Sequence, residues 1–149
     1  MPLPEGVRIR PARRGDRDSI YRLFAELGVT VPSHDQSNTL SWIVSHPEIE
    51  VLIAVDPADR GLGMLALTHR PCLRVGGRLA TIDSFVVAAE MRRRGIGAEL
   101  LARTMERVRM LGCKQVELAV NEPGSHDFLR KRGFAGTGGV LALWSCASS

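Results

Sequence analysis

The sequence feature that constrains the fold most is a strand-like run that passes into a helix through an arginine- and glycine-rich loop. The run LATIDSFVV (79–87) is followed by EMRRRGIG (90–97), and a helical pattern then continues to Leu111. Apolar residues mark one face of that helix, at Leu101, Met105, Val108 and Leu111. Gly112 is suited to end the helix, and QVELAV (115–120) predicts a further strand. The order strand, helix, strand predicts a β-α-β crossover.

The remaining segments complete a pattern of short strands and helices. Asp16 is a candidate N-cap for a helix that Gly28 ends, and a second helix is predicted to start near Ser33, Asp35 or Ser37. Further strands are predicted at 7–12, 51–55, 62–68 and 140–144, and a last helix at 123–132. The order β-α-α-β-β-β-α-β-α-β predicts an α/β protein, of the α+β type, with a mixed and mostly antiparallel central sheet flanked by helices.

Length and composition are those of a globular protein. A chain of 149 residues can bury its own core, so we expect a single domain over residues 1–149. No apolar run reaches the ~20 residues that cross a bilayer, and the N-terminus lacks the apolar core of a signal peptide, so no membrane partner is expected. Unpaired cysteines indicate reduced thiols in a cytoplasmic protein: Cys72, Cys113 and Cys146. No metal site is predicted, because no metal-ligand spacing links the histidines His34, His46 and His69.

The charge distribution disfavours a nucleic-acid-binding function. The chain has 20 Lys+Arg against 16 Asp+Glu, a net charge of only +4. Aromatic residues make up 5% of the chain and do not alternate with the basic ones. Proteins that bind single strands need aromatic stacking platforms as well as positive charge, so nucleic acid is not the expected partner.

The loop before the central helix has three interpretations: a solvated turn, a nucleic-acid contact, or a cradle for the phosphates of a cofactor. A helix N-terminus offers unpaired N–H groups and the positive end of the helix dipole, which together attract anions. Glycine lets the backbone approach a ligand closely. The loop lacks the GxGxxG and GK[ST] patterns of the common nucleotide-binding motifs. Its place between a strand and a helix nevertheless favours the phosphate cradle.

The pattern Arg92-x-x-Gly95-x-Gly97 resembles the acyl-CoA loop of the GNAT superfamily of N-acyltransferases, usually written [QR]xxGx[GA]. IDSFVVAAEMR (82–92) is similar to that family's fourth strand running into the loop, and FLRKRGF (128–134) is similar to its F-Y-x-x-x-G-F segment. The order of elements matches from the first strand to the last. The resemblance therefore covers essentially the whole chain and implies the fold of the family.

The resemblance implies acetyl-CoA as co-substrate. The loop would surround the pyrophosphate with backbone amides, and an arginine side chain would add charge-assisted contacts, from the set Arg92, Arg93, Arg94, Gly95, Ile96, Gly97 and Ala98. In this family the fourth and fifth strands splay apart around the pantetheine arm, so Phe85, Val86 and Val87 would offer it backbone N–H and C=O groups. Asn121 resembles the family's frequent asparagine contact to the cofactor. A simple turn residue before Pro123 is an equal alternative for Asn121.

Asp83 is the candidate general base. The reaction that the resemblance implies moves an acetyl group to a primary amine, and an amine of the lysine type has a pKa of about 10.4, so a carboxylate must take up its proton. Asp83 lies in an otherwise apolar strand, where a charge is costly unless it is useful or paired. Related sequences often carry Glu here, so the shorter Asp is expected to act through water. The alternative for Asp83 is a structural ion pair with an arginine.

Leu129 departs from the pattern of the resemblance. The family's usual tyrosine at this place can protonate the leaving thiolate, which leucine cannot do. A thiol with a pKa of about 8.5 is a tolerable leaving group without an acid, and water, His126 or Cys146 are other proton sources. Leu129 also leaves open a second function, an acyl-CoA-binding domain with weak or lost catalysis that acts as a sensor or partner subunit.

The acceptor is expected to be a primary amine, on a small molecule or a peptide, and its identity cannot be read from the sequence. Trp42 and Trp144 are expected to be packing residues, although the region around Trp42 could form the wall of the acceptor site. Members of the family often pair, so a homodimer is expected.

Overall fold

The computed structural model describes residues 3–119, 125–136 and 141–145. Its strands are β1 (Arg8–Pro11), β2 (Ile49–Val55), β3 (Gly61–Cys72), β4 (Gly77–Val87), β5 (Cys113–Ala119), β6 (Ala135–Gly136) and β7 (Leu141–Ser145). Its helices are α1 (Arg17–Glu26), α2 (Ser33–Val44), α3 (Ile96–Met110) and α4 (Ser125–Arg130). None of the helices within these residues is long and apolar enough to cross a bilayer.

The strands form one mixed sheet in the order β1-β2-β3-β4-β5-β7-β6. All neighbouring strands are antiparallel except β4 and β5, which are parallel and are joined through α3. The predicted fold class and element order are therefore confirmed. The sequence did not predict β6, because a strand of two residues is too short to show an alternating pattern.

Helices cover both faces of the sheet. On one face α3 packs against β3, β4 and β5 in an apolar core that includes Leu65, Ile82, Leu100, Val108 and Val116. On the other face α1 and α2 form a second core, which includes Ile20, Leu23, Leu40, Ile53 and Val86. Each of these buried side chains contributes about 1.5–3 kcal/mol through removal from water. The two cores hold β4 from both sides and so fix its position.

The start of α1 is fixed by an ion pair and not by the predicted N-cap. Asp16 precedes the helix, but its side chain makes no capping bond. Its carboxylate instead accepts hydrogen bonds from both terminal nitrogens of Arg10, at 2.7 and 2.8 Å, and from the backbone N–H of Arg13 at 2.7 Å. Burial by itself raises the pKa of Asp16, but these hydrogen bonds and the Arg10 charge lower that pKa below its ordinary value. The carboxylate therefore ties α1 to β1.

A polar cluster around the buried His69 lies where β2 and β4 begin and consists of Glu50, His69, Arg78 and Arg107. The Nη2 of Arg78 lies 2.9 Å from Nδ1 of His69. Because arginine can only donate, Nδ1 accepts and the neutral ring carries its proton on Nε2. That Nε2 faces Oε2 of Glu50 at 3.9 Å, and Nε of Arg107 donates to Oε1 of Glu50 at 2.6 Å. Burial, followed by the charge of Arg78, lowers the pKa of His69.

The prediction that Trp42 packs in the core is wrong. Its side chain is 70% exposed, whereas Leu40 on the same helix is 4% exposed. Residues two apart on a helix lie on nearly opposite faces, so burial of Leu40 turns Trp42 toward solvent. The side chain of Trp144 lies outside the described part of the chain.

Candidate active site

β4 and β5 lie side by side along only part of β4. Their parallel pairing runs from Arg78 opposite Cys113 to Ile82 opposite Leu118. Beyond that point β4 pairs with β3 alone. We call residues 77–82 the closed half of β4 and residues 83–87 its open half. The open half has an edge that no described residue of β5 covers, where backbone N–H and C=O groups can pair with an extended ligand.

A β-bulge marks the junction between the two halves. Ile82 lies opposite Leu67 of β3 and Ser84 lies opposite Ala66, so Asp83 is an extra residue between two consecutive pairs. Asp83 also lacks a partner on β5 within the described residues. Bulges occur often beside active sites, where they re-aim a side chain.

The bulge places Asp83 at the surface. The residue is exposed, and its Oδ2 accepts a hydrogen bond from the hydroxyl of Thr68 on β3. The charge of Asp83 therefore lies at the surface, although Ile82 and Val86 on either side of it are buried. No ion pair joins Asp83 to an arginine in the described parts of the chain.

A second threonine–carboxylate pair lies beside the first. The hydroxyl of Thr81 in the closed half donates to Oε1 of Glu117 on β5 at 3.1 Å. Thr81 and Thr68 are cross-strand partners, so the two hydroxyls lie on the same face of the sheet. The sequence analysis missed Thr68, Thr81 and Glu117, because their proximity depends on the register between strands.

The loop that leads from β4 into α3 has free hydrogen-bond donors. The backbone N–H groups of residues 93–98 donate to no acceptor within the parts of the chain that are described, and the first regular helical bond runs from Glu99 N to Gly95 O at 3.0 Å. Arg93 and Gly95 have positive φ angles of 64° and 86°. Left-handed residues turn successive N–H groups toward a common side, which makes an anion-binding concavity. The predicted loop residues are therefore brought together at the N-terminus of α3.

Three arginines surround this helix start. Arg92, Arg93 and Arg94 are all exposed, and Arg92 Nε donates to Val87 O at 3.4 Å. Positive side chains at a helix N-terminus oppose the helix dipole and destabilise the helix. Their presence here is unfavourable for the free protein, and an anion bound to the loop would compensate for it.

Gly97 leaves space that the folded chain itself does not require. A Cβ atom built on Gly97 would lie 3.5 Å from Val87 Cγ2 and 3.7 Å from Phe85 Cζ, which are ordinary contact distances. Its φ angle is not positive, so an L side chain would not strain the backbone. The glycine is consistent with a position where the backbone must come close to a ligand.

Aromatic residues line the open half on the α3 side. The rings of Phe85 and Phe128 have centroids 6.2 Å apart and are tilted by 56°. The guanidinium of Arg132 lies 3.8 Å from the centroid of the Phe128 ring. The side chain of Val86 points to the opposite face, where it is buried with α1 and α2, so only its backbone groups belong to the open edge. Phe128 and Arg132 were not singled out from the sequence.

Leu129 is a buried residue in the free protein. Its side chain is 2% exposed and belongs to the apolar core on the α3 face, together with Phe134 at 3%. The remaining candidates cannot be located: Asn121 and Cys146 lie outside the described residues, as does the side chain of His126.

α1 contacts the segment that leads from β4 into the loop before α3. The carboxylate of Glu26, the last residue of α1, accepts a hydrogen bond from the backbone N–H of Ala89 at 2.8 Å. Leu27 and Val29, just past the helix, are exposed apolar residues. This bond keeps the segment between α1 and α2 next to the loop and the open half of β4.

Comparisons with known proteins agree with this geometry. The model of the acetyltransferase (GNAT) family matches residues 17–134. A probable glucosamine 6-phosphate N-acetyltransferase from Oryza sativa subsp. japonica is 32% identical over 98 residues, which are 63% of this chain and 58% of that protein. The chain thus spans little more than half the length of this curated relative. Among solved structures, an acetyltransferase from Trypanosoma brucei superposes with a TM-score of 0.77 at 25% identity, covering 87% of this chain and 93% of the other.

A second solved structure shows the same fold. The glucosamine-6-phosphate N-acetyltransferase from Arabidopsis thaliana has a TM-score of 0.78 at 18% identity and covers 89% of this chain and 94% of the other. Since the family model extends from α1 through the segment after α4, it includes the bulge, the open half of β4 and the loop before α3. The chain belongs to the GNAT family of acetyltransferases.

Proposed function

We propose that this protein is an acetyl-CoA-dependent N-acetyltransferase that transfers an acetyl group directly to a primary amine. The observation that carries the proposal is the row of free backbone N–H groups over residues 93–98, flanked by exposed arginines. A family in which acetyl transfer is the common chemistry, and a loop built to receive a phosphorylated ligand, point to the same co-substrate.

The residues present fit a CoA-type ligand. The loop amides and the side chains of Arg92, Arg93 and Arg94 would hold its pyrophosphate, and Gly97 has no side chain that would keep a ligand away from the backbone. The open edge of β4 would pair with the amide groups of the pantetheine arm, as an added strand pairs with a sheet. When bound there, acetyl-CoA supplies the acetyl group as a thioester.

Asp83 is proposed as the general base. The amine must lose a proton to become nucleophilic, and a carboxylate at the junction of the two halves of β4 can accept it directly or through a water molecule. Thr68 engages Oδ2 of this carboxylate. Exposure of Asp83 is consistent with access for a solvated amine and with a proton path to bulk water.

The acceptor is proposed to approach from the face that carries Thr68 and Asp83. The curated relative in rice is described as acting on glucosamine 6-phosphate, so an aminosugar phosphate belongs among the amines to be tested. Peptide N-termini, lysine side chains and other small amines belong there too. A cytoplasmic location and a homodimer stay predictions from the sequence.

Two measurements test the proposal. A thermal-shift titration with acetyl-CoA should raise the melting temperature, because a ligand that binds only the folded state stabilises it by RT ln(1 + [L]/Kd). Release of free CoA thiol should then accompany acetylation of at least one amine of the panel. Absence of any stabilisation by acetyl-CoA would contradict the cofactor assignment.

A second candidate function has one observation in its favour. Leu129 is buried in the core and offers no hydroxyl to the leaving thiolate, so the protein could bind acyl-CoA without efficient transfer and act as a sensor or partner subunit. Stabilisation by acetyl-CoA without thiol release on any amine would favour this candidate over the first.

A further inference from the structure

Thr68 lies in a strand that is paired with a neighbouring strand on each side. It lies within β3, where it pairs with Thr81 of β4 and with Ile49 of β2, and its side chain is half-buried. As a β-branched residue it has few accessible χ1 rotamers. The direction of its hydroxyl group is therefore set by the central strands of the sheet.

Asp83 is held far less firmly. As the extra residue of the bulge it is the one residue of the open half without a pairing partner on β3, and it has no described partner on β5. The side-chain bond from Thr68 is the hydrogen bond that fixes its carboxylate within the described structure. The paired strand β3 thus orients the carboxylate of the unpaired residue.

The direction of this hydrogen bond follows from the groups involved. An ionised carboxylate can only accept, so the Thr68 hydroxyl donates its proton to Oδ2 of Asp83. Thr81 cannot take this role at the same time, because its single hydroxyl proton is directed to Glu117. The Oδ1 of Asp83 has no partner in the described residues and remains available to a substrate proton.

We propose that Thr68 is a positioning residue for the acetyl-transfer reaction: its hydroxyl group fixes Oδ2 of Asp83 and directs Oδ1 toward the incoming amine. The inference rests on the proposed function, because it requires Asp83 to be the base. Loss of the Thr68 hydroxyl group would leave the Asp83 carboxylate without the described hydrogen bond that sets its orientation.

The test compares Thr68→Val with Thr68→Ser. Valine keeps the shape and loses the hydroxyl group, so kcat should fall about 10-fold with little change in KM for acetyl-CoA. Serine keeps the donor and should restore most of the lost kcat. Thr81→Val is the matched control, since it removes the same kind of bond to the neighbouring Glu117, and it should leave kcat close to that of the parent.

Two further measurements separate the failure of this inference from the failure of the proposed function. In an Asp83→Asn background, Thr68→Val should have no additional effect on kcat, because interacting residues are not additive. If Asp83→Asn leaves kcat unchanged, the assignment of the base is wrong and the inference falls with it. If Asp83→Asn is impaired but Thr68→Val behaves like Thr81→Val, the base stands and the positioning role alone is overturned.

A measurement on the substrate-free protein tests the inference even when no acceptor amine has been found. In crystal structures of the substrate-free proteins, the Asp83 carboxylate should leave the parent's orientation in Thr68→Val and keep it in Thr81→Val. Thr68→Ala replaces the valine variant if that variant does not fold. An Asp83 carboxylate that keeps the parent's orientation after loss of the Thr68 hydroxyl group would overturn the proposal.

Discussion

The closed and open halves of β4 belong to one strand, but they differ in how their backbone N–H and C=O groups are paired. The closed half is paired with β3 and β5, and beside it Arg78 bonds to His69 and Arg107 bonds to Glu50. The open half ends in a bulge at one side and leads to a loop of free N–H groups at the other. One end of the strand pairs its backbone groups on both sides, and the other has an edge that no described residue of β5 covers.

This difference separates the substitutions that should affect folding from those that should affect function. Changes at the closed half disturb buried partners and should appear in the free energy of unfolding. Changes at the open half alter exposed or unpaired groups and should appear in binding and turnover instead. The expected effects below test that division, starting with the largest.

Asp83→Asn should have the largest effect. The amide has the same shape and can still accept from Thr68, but it cannot take up a proton, so kcat should fall roughly 10²–10⁴-fold while affinity for acetyl-CoA stays similar. Melting temperature should change little, because the residue is exposed. Steady-state kinetics and thermal melting of the same preparation check this. A variant that loses its fold along with its activity would instead indicate a structural carboxylate.

Gly97→Val should weaken binding of acetyl-CoA by at least ~10-fold without unfolding the protein. The free chain can accommodate a Cβ atom at ordinary contact distances, whereas a side chain at this position would block a ligand that approaches the backbone. Gly97→Ala should bind with intermediate affinity, and it should be at least as stable as the parent, because alanine favours a helix over glycine by about 1 kcal/mol.

Gly15→Ala is the control for the glycine substitutions. A Cβ atom there meets nothing within 4 Å, and the residue lies far along the chain from the loop. Calorimetric titration of the three variants with acetyl-CoA should leave Gly15→Ala equal to the parent. Parent-like affinity in Gly97→Val would contradict the phosphate cradle.

Leu129→Tyr changes a buried core residue instead of a group of the open half. From the sequence alone, we expect a tyrosine to supply the missing acid and to raise turnover from a few-fold to ~100-fold. The burial of Leu129 adds a cost, because an unpaired hydroxyl group in that core destabilises by about 1–3 kcal/mol. Chemical denaturation should therefore show a loss of stability, with Leu129→Met within about 1.5 kcal/mol of the parent. A stable tyrosine variant with turnover from a silent parent would favour the acyl-CoA-binding candidate.

The smallest expected effect is the dependence of stability on pH that comes from His69, beside the closed half of β4. Burial and the Arg78 charge lower the pKa of His69 in the folded protein, against weaker opposing effects of Glu50 and Glu48. The folded state therefore binds fewer protons than the unfolded state below pH ~6.5, so stability is complete above that pH and declines as the pH falls, by at most ~1.4 kcal/mol per pH unit. Melting temperature should drop by a few degrees between pH 7.5 and 5.5.

His69→Gln should reduce this dependence on pH, because glutamine does not titrate. Asp16 does not interfere in that range, since a lowered carboxyl pKa affects stability only at more acidic pH. An equal slope in the variant and the parent would assign the pH dependence to another group.

The sequence predicted the elements of the fold because their signals are local. Periodicity gives α3, and a strand followed by a helix and a further strand gives the parallel pair of β4 and β5. The loop of residues 92–98 could be predicted as well, since glycines and arginines at the start of a helix indicate an anion-binding site. Asp83 also stands out in the sequence, as the charged residue of an otherwise apolar strand.

Contacts between residues that are distant in the sequence could not be predicted from local patterns. The bonds of Thr68 with Asp83 and of Thr81 with Glu117 depend on strand register and on the bulge. Trp42 was assigned to the core because of its residue type, although the helix face decides its exposure. Asp16 precedes its helix as predicted, but Arg10 offers its carboxylate a stronger partner than the helix N–H groups do.

The bulge at Asp83 has a consequence for how this site can change. Ile82 and Phe85 pack on the α3 face and Val86 packs on the other, which is the alternation that a regular strand would have if residue 83 were absent. The proposed base is thus an insertion into an intact ladder rather than a replacement of one of its members. A different side chain at position 83 would leave every packing neighbour of β4 where it is. In such a scaffold new chemistry can be acquired one residue at a time without redesign of the core.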